Sequence, residues 1–157
     1  QLKPRRHDRE GFACGAPALD AYLRQQAAQH HRDGISTTHV LVDNTDPARI
    51  LGYYSLSAAQ LLLTDLQEVD RKRLPNYPVP AIRMGRLAVV AGEQGRGHGE
   101  YLLAHAVARC LGLREELGVR VLLVDVLHEK AGRFYRAYGF REATANSRTL
   151  YLPLGGR

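Results

Sequence analysis

A glycine-rich stretch between a strand-like run and a helix-like run is the feature that most constrains this chain. Residues 85–106 read GRLAVVAGEQGRGHGEYLLAHA, with Gly95, Gly97 and Gly99 at alternate positions. Glycines at such a turn let the backbone approach a ligand without Cβ clashes, and the start of a helix carries unpaired N–H groups. The stretch therefore indicates an anion site at this turn. The alternative interpretation is an ordinary glycine-rich turn.

Two familiar nucleotide-binding patterns do not fit the glycines. A dinucleotide-binding loop needs Gly-x-Gly-x-x-Gly, but counted from Gly95 the third glycine position holds Glu100, and the frame from Gly97 fails as well. A Walker loop needs Lys after its last glycine, and His98 stands there although Gly92 and Gly97 have the right spacing. Dinucleotide and nucleoside triphosphate chemistry are therefore not expected.

A third pattern, Gln-x-x-Gly-x-Gly, does match from Gln94 to Gly99. It directly follows a predicted strand and directly precedes a long amphipathic run. Outward-facing amides and the helix dipole at this place favour a pyrophosphate, and Arg96 can add a charge-assisted contact. We expect the loop to bind a diphosphate.

The composition indicates a soluble globular chain with an acidic partner. Its 157 residues fit one domain, expected to span residues 1–157, and they are 45% hydrophobic and 24% charged. Lys and Arg outnumber Asp and Glu by 22 to 16, which gives a net charge of +6. A basic surface favours nucleic acid or another acidic ligand without selecting one of them.

Cysteine and histidine usage gives no sign of a metal site or a disulfide framework. Cys14 and Cys110 are far apart, no Cys-x-x-Cys is present, and no histidines have metal-ligand spacing. We expect no metal, and we expect a structural role for His30, His31, His39 and His105. The first residues lack the apolar core of a signal peptide, and no run is long enough to span a membrane. A cytoplasmic protein is expected.

Periodicity predicts an α+β, or mixed α/β, fold. Residues 17–33 have helical spacing with Pro17 at the start and Gly34 at the end, and THVLVD and ILGYYSLSAA form a hairpin around the turn NTDP. A short helix capped by Thr64 and an irregular segment, LPNYPVP, come next. The remaining expected elements are a strand over AIRMGRLAVV, a helix over 98–117, a buried strand over VRVLLVDVL, a helix over 129–138, and one or two last strands.

The downstream sequence strengthens the diphosphate interpretation by a family resemblance. The motif at Gln94–Gly99 resembles the acetyl-CoA loop of the GCN5-related N-acetyltransferases, the GNAT superfamily. VRVLLVDVLHEKAGRFYRAYGF resembles that family's fifth strand and its following N-x-x-A-x-x-F-Y-x-x-x-G-F segment. His128 departs from the family pattern, which usually has Asn or Asp there. The resemblance implies the GNAT fold, a central, mostly antiparallel twisted sheet flanked by helices, with acetyl-CoA as cofactor.

A narrower resemblance extends over most of the chain. FACGAPALDAYL, LGYYSL and PVPAIRMGRLAV are similar to segments of the acetyltransferase toxins of bacterial toxin–antitoxin pairs. This resemblance implies a toxin that acetylates the α-amino group of aminoacyl-tRNA and blocks translation. It also implies a small DNA-binding antitoxin of the ribbon-helix-helix type as partner, and a homodimer.

The resemblance also implies the site residues. Tyr135 matches the tyrosine that protonates the departing thiolate, and the Ala131, Phe134, Tyr138 stripe leaves its hydroxyl outside the core. The backbone of residues 87–89 would pair with the pantetheine arm. The expected cofactor-binding residues are Leu87, Ala88, Val89, Gln94, Gly95, Arg96, Gly97, His98, Gly99, Glu100, His128, Ala131 and Phe134.

Basic residues around these motifs are the expected contacts to tRNA. Arg83, Arg86, Arg133 and Arg136 flank the expected cleft, and phosphate attraction there would make binding salt-sensitive. Further basic residues are Lys3, Arg5, Arg6, Arg141 and Arg148, and a solvated surface charge is the alternative interpretation of each.

Two other functions stay open at this point. One is an acetyltransferase that acts on a protein or small-molecule amine. The other is a CoA-binding or RNA-binding module without catalytic turnover.

Overall fold

The fold was taken from a computed structural model, which describes residues 1–72, 74–75 and 78–155. These residues form two compact units. The first unit contains residues 1–57 and 85–106, and the second contains residues 58–84 and 107–157. The expectation of one domain over residues 1–157 stays a prediction.

Two short helices precede the first strand in unit 1. Helix α1 covers Pro17–Gln25 and α2 covers Ala27–Arg32, where a single helix was expected. Gln26 interrupts the helix with φ −123°, although its N–H still donates to the carbonyl oxygen of Tyr22. Gly34 follows α2 with φ +72°, which fits the expected stop because glycine tolerates a left-handed conformation.

The predicted hairpin is present in unit 1. Strand β1, Thr37–Asp43, pairs antiparallel with β2, Asp46–Leu61, and Thr37 lies opposite Leu56. The turn is tighter than NTDP suggested, because β2 already begins at Asp46. The Asp43 carboxylate stabilises the turn by accepting from the backbone N–H of Thr45 at 2.9 Å.

The segment after β2, in unit 2, corrects one prediction. A 3₁₀ turn covers Leu63–Asp65, and α3 is a single helical turn over Glu68–Arg71. The expected cap, Thr64, lies inside the 3₁₀ turn. The backbone N–H of Leu62 donates instead to the Asp65 carboxylate at 3.0 Å. Residues 76 and 77 of the irregular LPNYPVP segment lie outside the described residues.

Strand β3 covers Val79–Val89, and α4 covers His98–Leu113. The expected helix over 98–117 therefore starts where predicted and ends four residues earlier. On α4, Leu102, Leu103, Ala106 and Cys110 are buried at helical spacing, whereas Leu111 is exposed.

The remaining elements belong to unit 2. They are β4, Val121–Asp125; α5, Glu129–Ala137; β5, Arg141–Glu142; and β6, Thr149–Pro153. Strand β3 pairs parallel with β4 at Ala81–Arg83, and β6 pairs antiparallel with both β4 and β5. Residues 121–124 of β4 are all buried, which explains their unbroken apolar sequence, and Asp125 at the end of the strand is exposed.

The strand order is β1-β2-β3 in unit 1 and β2-β3-β4-β6-β5 in unit 2. Strands β2 and β3 have residues in both units, so the two lists together contain six strands. The expected mixed α+β fold with a mostly antiparallel sheet and flanking helices is confirmed. Each unit has its own apolar cluster. In unit 1 the cluster contains Phe12, Tyr22, Leu23, Ala27, Ile50, Tyr53 and Ala88. In unit 2 it contains Leu61, Leu66, Val79, Ala81, Val121, Leu123 and Tyr151.

Candidate active site

The glycine loop lies in unit 1 between β3 and α4. A 3₁₀ turn at Ala91–Glu93 follows the strand, and Gly95 and Gly97 both have φ +84°. This conformation is unfavourable for residues with a Cβ atom. A Cβ added at either glycine would meet no protein atom within 4 Å. The glycines are therefore required by the backbone conformation, and the space beside them is open to a ligand.

The first turn of α4 provides donors toward that space. The N–H of Tyr101 donates to the carbonyl oxygen of Gly97 at 3.0 Å, so the amides of His98, Gly99 and Glu100 precede the first backbone bond of the helix. Such amides and the positive end of the helix dipole attract anions. The loop and first turn together therefore fit the diphosphate that the sequence predicted.

The side chain of Gln94 braces the loop. Its Nε2 donates to the carbonyl oxygen of Cys14 at 2.9 Å and to that of Val89 at 3.0 Å. Both amide hydrogens are therefore used within the chain. The side-chain donors of Gln94 therefore position the loop, and its contact with the cofactor stays a prediction.

Glu93 is a residue that the sequence analysis missed. Its carboxylate contacts Arg96 at 3.4 Å, His98 at 3.2 Å and Arg49 at 3.7 Å, and its side chain is mostly buried. The surrounding cations offset the charge of this carboxylate beside a presumed anion site. Arg96 is 68% exposed and can still turn toward a ligand, whereas His98 is held more tightly by the same contact.

Strand β3 carries the residues expected along the pantetheine arm. Its ladder with β4 ends at Arg83, and Leu87, Ala88 and Val89 follow further along the strand. Ala88 is buried in the unit 1 cluster, so only its backbone can contact a cofactor. A Cβ at Gly52 would lie 2.8 Å from the carbonyl oxygen of Ala88, which explains why glycine stands on the neighbouring strand.

In unit 2, His128 caps helix α5. The N–H of Ala131 donates to its Nδ1 at 3.2 Å, and the backbone of His128 is extended. Asn and Asp, the usual residues of the resembled family at this position, are favoured helix caps for the same reason. His128 differs from the family pattern but still supplies an acceptor that caps the helix.

Tyr135 lies inside the apolar part of unit 2, which corrects the expected helical stripe. It is 9% exposed and packs against Phe134 and Phe140, with ring centroids 5.2 Å apart in both cases. Tyr138, which we expected to face inward, is 43% exposed, and Phe134 is half-buried. Burial raises the pKa of Tyr135 well above its usual range, so its hydroxyl is protonated at neutral pH.

The four arginines that we expect to contact tRNA differ in whether their side chains already contact other residues. Arg83 pairs with Asp125, and Arg86 stacks on the ring of Tyr22 with its guanidinium carbon 3.5 Å from the centroid. Arg136 contacts Glu129 at 3.0 Å and Glu142 at 3.5 Å, whereas Arg133 is exposed. Arg133 is therefore the most available of the four for phosphate.

Three of the four histidines named from the sequence contact tyrosines, and the fourth, His31, is exposed. His30 Nδ1 lies 3.0 Å from the Tyr22 hydroxyl, and His105 Nδ1 lies 2.6 Å from the Tyr54 hydroxyl, beside which His39 stacks. Among the described residues, no group of three or more His, Cys, Asp or Glu side chains could hold a metal ion.

Both cysteines are free thiols. Burial is the main cause that raises the pKa of Cys14 and of Cys110, in each case to about 11. These thiols are therefore protonated at neutral pH.

Among the helices of the described residues, none is long and apolar enough to cross a membrane.

Comparison with known proteins agrees with these features. A family model described as an acetyltransferase (GNAT) domain matches residues 36–142. A protein of Mycobacterium tuberculosis named tRNA-acetylating toxin is 38% identical over 145 residues, which cover 92% of this chain and 85% of the relative.

Two solved structures are similar over nearly the whole chain. AtaT complexed with acetyl-methionyl-tRNAfMet is 31% identical with a TM-score of 0.89, and the match covers 94% of this chain and 88% of that one. A mutant AtaT toxin bound to the C-terminus of the antitoxin AtaR and acetyl-CoA is 30% identical with a TM-score of 0.80, covering 94% and 86%. Together with the glycine loop before α4, these matches establish that the chain belongs to the GNAT family of acetyltransferases.

Proposed function

We propose that this protein is an acetyl-CoA-dependent N-acetyltransferase, a toxin that acetylates the α-amino group of aminoacyl-tRNA and so blocks translation. The observation that carries the proposal is the glycine loop, with Gly95 and Gly97 at φ +84° and the free amides of the first turn of α4. A diphosphate is the group that such a loop suits best.

Acetyl-CoA, when bound, supplies the acetyl group as a thioester, and this group passes to the acceptor nitrogen as the carbon–sulfur bond breaks. The loop residues Gly95–Gly99 hold the diphosphate through backbone N–H groups, and Arg96 adds a charged contact. The backbone of Leu87, Ala88 and Val89 pairs with the pantetheine arm. Residues His128, Ala131 and Phe134 complete the cofactor contacts on α5.

Tyr135 acts as the general acid: it donates its proton to the sulfur as the carbon–sulfur bond breaks, and it regains a proton from solvent, which takes up the one that the acceptor nitrogen loses. Burial keeps its hydroxyl protonated, which a donor to a departing thiolate requires. A raised pKa also makes the phenol a weaker acid. The same exclusion of water that raises the pKa of the phenol raises that of a thiolate, which makes the sulfur a better proton acceptor.

The acceptor amine needs little activation by the protein. A free α-amino group has a pKa of about 7.7 to 8.0, so a useful fraction is neutral near pH 7.5. Positioning of the amine against the thioester then accounts for most of the rate enhancement. Arg86 and Arg133 are the proposed contacts to the RNA backbone, and Arg83 and Arg136 lie near them in sequence but are held by carboxylates.

The choice of aminoacyl-tRNA as acceptor is supported by the similar proteins. The Mycobacterium tuberculosis relative is named for tRNA acetylation, and AtaT was solved with an acetylated methionyl-tRNA. The net charge of +6 is consistent with an RNA substrate. Because charged tRNA is present in the cytoplasm, we place the protein there.

We further propose that a ribbon-helix-helix antitoxin neutralises the protein and that two copies of the chain associate. The solved complex of AtaT with the C-terminus of AtaR supports an antitoxin partner. Copurification of a small DNA-binding protein from the source cells and the mass of the free protein by light scattering test these two statements.

A transfer assay tests the proposed activity. Labelled acetyl-CoA is incubated with the protein and a mixed pool of charged tRNA, with uncharged tRNA and N-blocked aminoacyl-tRNA as controls. We expect label only on charged tRNA with a free amine, released on mild alkaline hydrolysis as N-acetyl amino acid. Label on proteins or on a small amine, with none on RNA, would assign the other acetyltransferase function. Binding of CoA without any transfer would assign the non-catalytic module.

A further inference from the structure

A cavity of about 270 Å³ opens beside the start of α5, within unit 2. Its wall is mostly polar, and its charged residues are Glu129, Arg136, Glu142 and Arg148. None of the residues that line the cavity belongs to the glycine loop. No residue of this wall other than His128 and Arg136 has a role in the site described above.

The guanidinium of Arg136 is held in one orientation on this wall. Its Nη2 contacts Glu129 at 3.0 Å and its Nη1 contacts Glu142 at 3.5 Å. A Cβ added at Gly132 would lie 3.1, 3.2 and 3.3 Å from Nη2, Nη1 and Cζ. Three nearly equal distances place such an atom above the guanidinium plane. One face of Arg136 therefore covers the helix backbone at Gly132, and glycine is what allows it to lie there.

The charge balance around Arg136 selects the kind of ligand. Two carboxylates surround one guanidinium, so this part of the wall does not attract a phosphate group. A flat guanidinium is, however, a good stacking surface for an unpaired nucleobase. Carboxylate oxygens accept hydrogen bonds from exocyclic amines, which adenine, cytosine and guanine carry. Arg148 is exposed and forms no ion pair with any described residue, so it is available to the phosphate of the same nucleotide.

We propose that this cavity is a nucleobase subsite, in which an adenine or cytosine ring stacks on Arg136 and donates its amine to Glu129 or Glu142. The proposal rests on the proposed function, which supplies such a base from two sources. One is the unpaired 3′ end of the aminoacyl-tRNA, and the other is the adenosine of acetyl-CoA. In either case Arg136 contacts a base, where the sequence had suggested a phosphate contact.

Binding of a mononucleotide tests the subsite without any need for turnover. Adenosine monophosphate is titrated into the full-length protein while the backbone amides of residues 128–137 are followed by NMR, and ribose 5-phosphate, which lacks the base, is the matched ligand. We expect adenosine monophosphate alone to shift these amides. Arg136→Lys keeps the charge but removes the flat surface, and should weaken the binding about tenfold, since stacking of one base contributes roughly 1 to 3 kcal/mol.

Gly132→Ala is a second variant that separates folding from binding. Alanine is a better helix former than glycine, so the helix is retained, and the added methyl group shifts the guanidinium by a few tenths of an ångström. We expect weaker nucleotide binding than in the unmodified protein, with a smaller loss than in Arg136→Lys. Arg109→Lys, at an exposed position on α4, is the control and should bind like the unmodified protein.

Kinetics of the same variants identify the source of the base. A KM raised about tenfold for aminoacyl-tRNA, with the KM for acetyl-CoA unchanged, assigns the base to the RNA. A KM raised for acetyl-CoA but not for acetyl-pantetheine, which has no adenosine, assigns it to the cofactor.

The subsite is overturned if ribose 5-phosphate shifts the amides as adenosine monophosphate does, or if Arg136→Lys leaves nucleotide binding intact. If the unmodified protein transfers no acetyl group to charged tRNA, the proposed function fails, and the mononucleotide titration still decides the subsite.

Discussion

The side-chain amide of Gln94 donates to the backbone carbonyl of Cys14 at 2.9 Å, which ties the glycine loop to the segment before α1. Its second hydrogen is donated to the carbonyl oxygen of Val89, at the end of β3. A backbone hydrogen bond from Ala91 to the carbonyl oxygen of Ala13, at 2.8 Å, joins the same two segments. The conformation of the loop therefore depends on contacts made 80 residues away in the sequence.

Replacement of Gln94 by Glu should weaken acetyl-CoA binding. The carboxylate has the same shape but no hydrogen to donate, and it would lie against two carbonyl oxygens. Loss of two hydrogen bonds of about 1 kcal/mol each corresponds to roughly a tenfold to thirtyfold higher Kd, measured by calorimetry. Gln25→Glu, at an exposed position at the end of α1, is the matched control. An unchanged Kd in Gln94→Glu would show that the brace does not shape the loop.

Gly97→Val should also reduce acetyl-CoA affinity, for a conformational reason. The φ of +84° at this residue is strained for a β-branched side chain, with a cost of about 1 to 3 kcal/mol, so the loop moves away from its binding conformation. We expect a Kd raised at least about tenfold. Gly92→Val serves as control, since Gly92 has no positive φ and open space around it. Equal effects of the two substitutions would mean that the loop conformation is not what binds the cofactor.

Tyr135→Phe should separate catalysis from binding. Only the hydroxyl is removed, and the aromatic packing against Phe134 and Phe140 is kept. Turnover should fall by about 10² to 10⁴-fold, the usual effect of losing a general acid, while the Kd of acetyl-CoA stays the same. Single-turnover kinetics with charged tRNA measure the first quantity. Tyr101→Phe, at an exposed position, should retain the rate. A full rate in Tyr135→Phe would remove this residue from the chemistry.

Tyr151 should make the protein less stable at alkaline pH. Its hydroxyl donates to the Asp70 carboxylate at 2.5 Å, and burial together with this bond raises the pKa of Tyr151 to about 12. The folded state therefore keeps the proton when the unfolded state, with a tyrosine pKa of about 10, releases it. By linkage, the contribution to stability is complete below pH 10 and is lost as the pH rises toward 12.

Urea unfolding at pH 8 and pH 11 tests this prediction. The unmodified protein should lose stability between the two values, and Tyr151→Phe should lose less of it. At pH 8, Tyr151→Phe should be less stable by about 1 to 3 kcal/mol, because Asp70 and the backbone N–H of Gln67 each lose a hydrogen-bond partner. An identical pH dependence in the two proteins would contradict the assignment.

Much of the fold was predictable because its elements have strong local signals. The β-branched and aromatic runs of β1 and β2, the apolar run of β4 and the long periodic run of α4 each depend on one dominant pattern. The glycine loop was predictable for the same reason. Positions 95 and 97, directly before a helix, both have positive φ, and glycine is the residue that best tolerates this conformation.

Helix α5 illustrates what periodicity could not decide. Phe134, Tyr135 and Tyr138 give the helix apolar side chains on more than one side, so sequence spacing alone does not determine which side faces inward. The spacing predicts that the Phe134–Tyr138 side faces inward, but the structure buries Tyr135 and Gly132. Packing of Phe140 against Tyr135 decides the orientation, and that contact forms only after the chain turns at Gly139.

The roles of Glu93 and Gln94 also lay beyond sequence reasoning. Gln94 could be matched to a motif, but its acceptors on Cys14 and Val89 exist only once the loop is folded. Glu93 has no motif of its own. Its role depends on contacts with Arg96, His98 and Arg49, of which Arg49 comes from a distant strand. An acidic residue two to five positions before a presumed anion-binding residue is the one signal that could have drawn attention to it.

The central claim is that backbone amides at the start of α4 bind the diphosphate of coenzyme A, and comparing two acetyl donors by calorimetry tests it most directly. Acetyl-CoA carries the diphosphate and acetyl-pantetheine does not. We expect acetyl-CoA to bind the unmodified protein at least about a hundredfold more tightly, as the loss of several charge-assisted hydrogen bonds implies. Equal affinities for the two donors, or no detectable binding of acetyl-CoA, would contradict the account.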